Sequence, residues 1–128
     1  MRTIHVVSDG QDGCRVTLVC ARSSRVTGNR IPKVELKVCW MVAVLSARLL
    51  SAFGEQVTSW FFVTNSLISL CWISSDERPL ETMVHNTVIE ICRFSSPHDW
   101  YHVETHKNIA DLGTRYTTVD ELQPGSEW

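Results

Sequence analysis

Charge is lacking in the most apolar part of this chain, and one acid serves the long stretch from Arg22 to Gly54. Of its 128 residues 20% are charged and 44% hydrophobic, with a formal net charge of −2. That balance excludes a module that is strongly basic throughout, the usual footprint of a nucleic-acid binder. The length suits one compact α/β core rather than two. C-x-x-C pairs are missing as well. The cysteines, Cys14, Cys20, Cys39, Cys71 and Cys92, are odd in number and all lie in apolar surroundings. They read as buried free thiols of a reducing, cytoplasmic protein, not as disulfides or zinc ligands. The opening Arg2-Thr-Ile-His-Val-Val7 is too short for the apolar core of a secretory signal, so an intracellular protein is expected. Val57 to Ile73 has no charge at all, but it includes Thr58, Ser59, Thr64, Asn65, Ser66 and Ser69. A spanning helix needs about 20 predominantly apolar residues. The run therefore reads as a buried strand leading into a helix, with no membrane involved.

What is present is, first, a long helix, predicted over residues 32 to 53. Pro32 suits a first helical position and Gly54 is a natural stop. Val34, Val38, Met41, Val42, Leu45, Leu49 and Phe53 recur at three- and four-residue steps as one apolar stripe. Glu35 is the one acid between Arg22 and Gly54. In the first turn it would answer the helix macrodipole, or it would belong to a site. Arg22, Arg25, Arg30, Lys33 and Lys37 face only that acid, so this segment is basic. It is either a solvated surface or a phosphate-contacting one.

In chain order, Ile4 to Val7 reads as a strand, Ser8 to Gly13 as a turn, and Arg15 to Ala21 as the return strand of a hairpin. After the long helix, Val57 to Thr64 reads as an interior strand covered on both faces. Thr64-Asn65-Ser66 is an N-cap signal ahead of a short helix through Ile73. Leu80 to Phe94 forms another helix, with Met83, Val84, Thr87, Val88, Ile91 and Phe94 inward. Trp100 to Glu104 is a last strand, and a short helix starting at His106 contains Asp111. His102 and His106 read as structural or surface residues, since four residues along a strand do not bring side chains together. Trp40, Trp60 and Trp72 lie in apolar runs and are expected in the core. The order implies a mixed sheet, and sites in such folds form beyond the carboxyl ends of the strands. Glu35, Asn65 and Asp111 are candidates to converge there as ligands of a divalent cation for phosphoryl chemistry.

These segments resemble a known family. Val19-Cys-Ala-Arg-Ser23, Arg25-Val-Thr27 and Ile31-Pro-Lys-Val-Glu-Leu36 resemble the "CAKSRV…IPRLEL" stretch in polyproteins of Pao/BEL-type LTR retrotransposons. Val63-Thr-Asn-Ser66 with Leu70-Cys-Trp-Ile73 resembles their "WTDS…LSWI", and Asn86 to Ile91 their "NRVAEI". Trp100-Tyr-His-Val103 with Asn108 to Arg115 resembles "WRHV…NPADLATR". The likeness runs from about Val16 to Trp128.

The resemblance implies an RNase H-like fold, a five-stranded mixed sheet flanked by helices, over residues 1–116, with 117–128 a loosely ordered tail. It implies Mg²⁺- or Mn²⁺-dependent hydrolysis of RNA in RNA–DNA hybrids, with the parent polyprotein's reverse transcriptase as a partner. In the family four carboxylates hold two metals. Carried over, the helix Glu is Glu35 and the last Asp is Asp111, while the Asp at the end of strand four falls on Asn65. An Asn amide offers a neutral oxygen where hard cations favour carboxylates. The first-strand Asp has two readings. Either Ile4 to Asp9 is that strand and Asp9 its Asp, or Ile4 to Val7 is the second strand, Asp9 lies in a hairpin turn, and the first strand is absent. The second is preferred, because the first leaves too few residues for strand two. The lost strand is central in the family fold, so the sheet would have a gap beside Val57–Thr64. Gly28, Ile109 and Tyr116 also depart from the family pattern. The expectation is a truncated, degenerate domain without activity. Its alternatives are an active ribonuclease using Asp9, Glu35 and Asp111, or a non-catalytic module binding nucleic acid or protein through Arg22 to Lys37.

Overall fold

The computed structural model describes residues 2–9, 15–25, 30–75, 79–108 and 110. The chain divides into two compact units, Met1–Val26 with Thr105–Trp128, and Thr27–Glu104. In the first, β1 (Arg2–Asp9) pairs antiparallel with β2 (Arg15–Ser23). The register runs from Arg2 opposite Ser23 to Asp9 opposite Arg15. It shifts by one between His5 and Val6, so Val19 is an extra residue on β2, a bulge that increases the local twist. Both strands are longer than their alternating cores predict, and Ser8 and Asp9, expected in a turn, are the last two residues of β1.

The second unit is mostly helical. It contains α1 (Ile31–Phe53), β3 (Phe62–Thr64), α2 (Leu67–Ile73), α3 (Thr82–Phe94) and β4 (Trp100–His102). Short 3₁₀ turns at Gly54–Gln56 and Pro97–Asp99 connect them. Pro32 lies in the first turn of α1, as expected. Gly54 ends the helix at φ +54°, where L side chains are strained, and its N–H reaches the carbonyl of Leu50. Because α1 begins at Ile31, Glu35 lies past the first turn, which holds no acid. The macrodipole therefore explains little about it, since that field fades within the first turn.

The buried face of α1 is not the predicted stripe. Leu36, Cys39, Ala43 and Ser46 are buried, roughly a third of a turn round from Val34, Val38, Leu45 and Leu49 at about 100° per residue. Of the predicted stripe only Met41 is buried, and Phe53 is exposed. A helix apolar on most sides does not say which face meets the core. Here the small side chains of Cys39, Ala43 and Ser46 form that face. The core cluster joins Leu36, Cys39 and Ala43 to Phe62, Ile73, Val84, Val88, Ile91 and Trp100, with Trp40 and Trp72 packed against it. By length and composition α1 could also cross a membrane, a test that the core helices of soluble proteins pass too.

β3 and β4 pair in parallel, Phe62 opposite Trp100 and Thr64 opposite His102. The Phe62 and Trp100 rings stack at 4.7 Å and 18°. The Trp100 indole N–H donates to Ser95 Oγ at 2.9 Å, and that hydroxyl donates to the carbonyl of Ile91 at 2.9 Å. Only three residues of the predicted Val57–Thr64 strand are in the sheet. β4 is equally short, so Val57 to Phe61 find no strand to bond among the described residues. Nor is the strand covered on both faces. Phe62 and Thr64 are buried, whereas Trp60, which was expected in the core, Phe61 and Val63 are exposed.

α3 buries Val84, Val88 and Ile91 as predicted, but Met83 and Phe94 are exposed. His102 and His106 are exposed, as expected. The cysteines are not uniformly buried. Cys39 is buried and Cys20 half-buried, but Cys71 and Cys92 are exposed. Ile91 is fully buried, whereas Ile89 on the same helix is 42% exposed. Ile91→Ala should lower the unfolding free energy by about 2–5 kcal/mol, and Ile89→Ala by no more than about 0.5 kcal/mol. Urea titrations of the two variants measure the difference.

Candidate functional site

The carboxyl end of β3 is where the candidate residues can be followed. Thr64 ends the strand, and its carbonyl accepts the N–H of Val103 at 3.0 Å. Its side-chain oxygen accepts the N–H of Ser66 at 3.2 Å. Ser66 in turn caps α2, its hydroxyl accepting the N–H of Ser69 at 3.2 Å. The turn through Asn65 is thus held on both sides by its neighbours' hydroxyls, and Asn65 itself is half-buried.

From α1, the Cys39 thiol donates to Thr64 Oγ1 at 3.8 Å. Cys39 lies four residues beyond Glu35, one turn along the same helix face. Glu35 and Asn65 therefore come to the same end of β3. The Glu35 carboxylate is close enough for its charge to act on the Cys39 thiol. Burial pushes that thiol up to about 11. The hydroxyls of Thr64 and Ser69 partly oppose the shift, and the negative charge of Glu35 adds to it. Ser69 Oγ, fully buried, has no ordinary hydrogen-bond partner and lies against this thiol. Sequence inspection passed over this polar floor of Cys39, Thr64 and Ser69. The one legible signal for it was the four-residue step from Glu35 to Cys39.

Of the other two candidates, one is among the described residues. Asp9 ends β1 in the other unit, opposite Arg15 in the hairpin register. Asp111 lies outside the described residues. Among the described residues no group of three or more His, Cys, Asp or Glu side chains could hold a metal ion. Among the described residues the candidate donors near the end of β3 are one carboxylate, Glu35, and one neutral amide, Asn65. That pair does not fit a two-metal centre, whose cations need several anionic oxygens.

The basic residues also divide. Arg22 and Arg25, both exposed, belong to the first unit, and Arg30, Lys33 and Lys37 to the second. Arg30 and Lys37 are exposed. Lys33 does not face Glu35 alone, as the sequence implied. Its ammonium is paired with Glu81, the residue that precedes α3. That hydrogen bond and charge, with a smaller contribution from Arg30, hold the Glu81 carboxyl below its ordinary value of 4.5.

Comparison with protein families, with curated proteins and with solved structures finds no match for this chain.

Two outcomes follow from the ionisation states. The Cys39 thiol should resist alkylation at pH 8 in the folded chain while exposed Cys71 is modified, and it should react once the chain is unfolded in denaturant. Peptide mass spectrometry of labelled protein reads this directly. For Glu81 the folded value is depressed, so its contribution to stability is present above about pH 4.5 and is lost as pH falls through the folded value. Glu81→Gln should therefore lower Tm slightly at neutral pH and low salt. The gap to the natural chain should close in acid and in high salt, because the pair is exposed and screened.

Proposed function

We propose that this chain is a remnant of an RNase H-like domain from a Pao/BEL-type retrotransposon polyprotein, without ribonuclease activity. The observation that carries the reading is the mixture of strand directions. Among the described residues β1 and β2 form an antiparallel pair and β3 and β4 a parallel pair. Both kinds of pairing belong to the mixed sheet of that family, which supports the reading. Two further features agree. β1 is bonded to β2 alone among the described residues, which supports reading it as a second strand, but Asp9 is its last residue and not part of a turn as that reading had it. Glu35 and Asn65 share the carboxyl end of β3, where the family's helix Glu and strand-four Asp meet. With Asn65 in place of that Asp, Mg²⁺ or Mn²⁺ loses an anionic ligand. The role of Asp111 as a further ligand belongs to the same proposal, as do a cytoplasmic location and an origin beside a reverse transcriptase.

Losing such a ligand costs several kcal/mol of transition-state stabilisation, and each ~1.4 kcal/mol is tenfold in rate. The natural chain should show no cleavage of a labelled RNA–DNA hybrid above background in Mg²⁺ or Mn²⁺. Asn65→Asp should raise Mn²⁺ affinity, read by calorimetry, and Asp111→Ala in that background should abolish the gain. Asn65→Asp should cleave only if Asp9 stands in for the first-strand Asp, and Asn65→Asp/Asp9→Ala is the control for that. Cleavage by the natural chain would favour the active ribonuclease built on Asp9, Glu35 and Asp111. Equal Mn²⁺ affinity in the natural and Asn65→Asp chains would end the argument for a shared site.

A second reading, a non-catalytic nucleic-acid-binding module, draws on the exposure of Arg22, Arg25, Arg30 and Lys37. Its marker is hybrid binding that weakens steeply with salt as counterions are released.

A further inference from the structure

We infer that the outer edge of β3 is a homodimer interface, in which Thr58–Thr64 pairs antiparallel with the same segment of a second copy about a two-fold axis at Phe61. The inference stands on the strand itself and does not depend on the family reading.

The backbone phase supplies the register. Thr64 directs its carbonyl to Val103 of β4. In a parallel ladder a residue's N–H and C=O point the same way, and successive residues alternate. Phe62 and Thr64 therefore face β4, while Ser59, Phe61 and Val63 direct their N–H and C=O groups to the outer edge as the strand extends back from Phe62. Among the described residues β4 is the one strand bonded to β3. Val57 already has extended backbone, with φ −91° and ψ 112°. The segment is thus able to form a strand longer than the three residues now paired.

The side chains agree. Trp60 is 46% exposed, Phe61 69%, Val63 47% and Tyr101 55%. Phe61 and Tyr101 meet edge to face at 6.1 Å and 86°. Proteins guard exposed edges with lysine, proline or inward charge. From Gln56 through Ser75 this chain has none of these. A foreign strand would find no charge here to select it, whereas a second copy meets no like-charge opposition. The outward residues Ser59, Phe61 and Val63 are spaced symmetrically about Phe61. An antiparallel copy therefore presents Val63 to Ser59, Phe61 to Phe61 and Ser59 to Val63, an isologous contact that closes on itself. The result is a four-stranded sheet in which the exposed Phe61, Val63 and Tyr101 of both copies lie on one face.

The axis at Phe61 makes the test specific, because like charges placed directly opposite repel while unlike charges attract. By sedimentation over the micromolar range the natural full-length chain should be a dimer. Phe61→Lys and Phe61→Glu should each weaken the dimer by at least about tenfold with unchanged circular dichroism, since Phe61 lies outside the core. An equimolar mixture of the two variants should associate again. Ile89→Lys, a charge on an exposed apolar residue of α3, should leave the dimer intact. A monomeric natural chain, a dimer that survives either Phe61 variant, open-ended aggregation indifferent to charge at position 61, or a mixture that stays monomeric would each overturn the proposal.

Discussion

The second unit depends on the contact between Phe62 and Trp100. Two strands of three residues each form few backbone hydrogen bonds, too few to bring together segments nearly forty residues apart. The stacked rings contribute what the short ladder lacks, aromatic contact beyond the area they bury. The indole N–H would cost free energy if it were buried without a partner. Ser95 accepts it, and Ser95 is itself anchored on the last turn of α3. One tryptophan thereby ties β3, β4 and α3 together, and Leu36, Cys39 and Ala43 of α1 close over the same cluster.

That arrangement also shapes the end of β3. The register that pairs Thr64 with His102 brings Thr64 Oγ1 under the Cys39 thiol and leaves Asn65 in a turn fixed by Thr64 and Ser66. A neutral, deeply buried thiol beside hydroxyls is a structural floor and not a nucleophile, because burial opposes the thiolate. Above it stand one carboxylate and one amide. One carboxylate and one amide are a weak ligand set for hard cations, which favour several anionic oxygens. Among the described residues the other edge of β3 bonds no strand.

Much of the element order was legible because local chemistry decides it. Pro32 and Gly54 bracket α1, Ser66 caps α2, and Ser95 with Pro97 ends α3. These signals act within one turn of chain, so they survive whatever packs around them. The faces were less legible. α1 is apolar on most sides, and the stripe of Val34, Val38, Leu45 and Leu49 is no better a core signal than the smaller Cys39, Ala43 and Ser46. The latter form the buried face. Trp60, Cys71 and Cys92 sit in apolar sequence and are nevertheless exposed, because burial needs a neighbouring element and a run of residues cannot provide one.

The sequence by itself determined where the helices start and stop, the hairpin, and the mixed α/β character, since propensity, capping and turn chemistry are properties of adjacent residues. It also placed Asn65 directly after an apolar strand and ahead of the Ser66 cap of α2. Tertiary structure decided which face of α1 is buried, how much of Val57–Thr64 becomes strand, that Lys33 answers Glu81, and that Glu35 comes to the Asn65 end of β3. Each of these depends on contacts between residues far apart in the chain. Such contacts are selected by how whole elements fit together, and that fit is not encoded in any short window of residues.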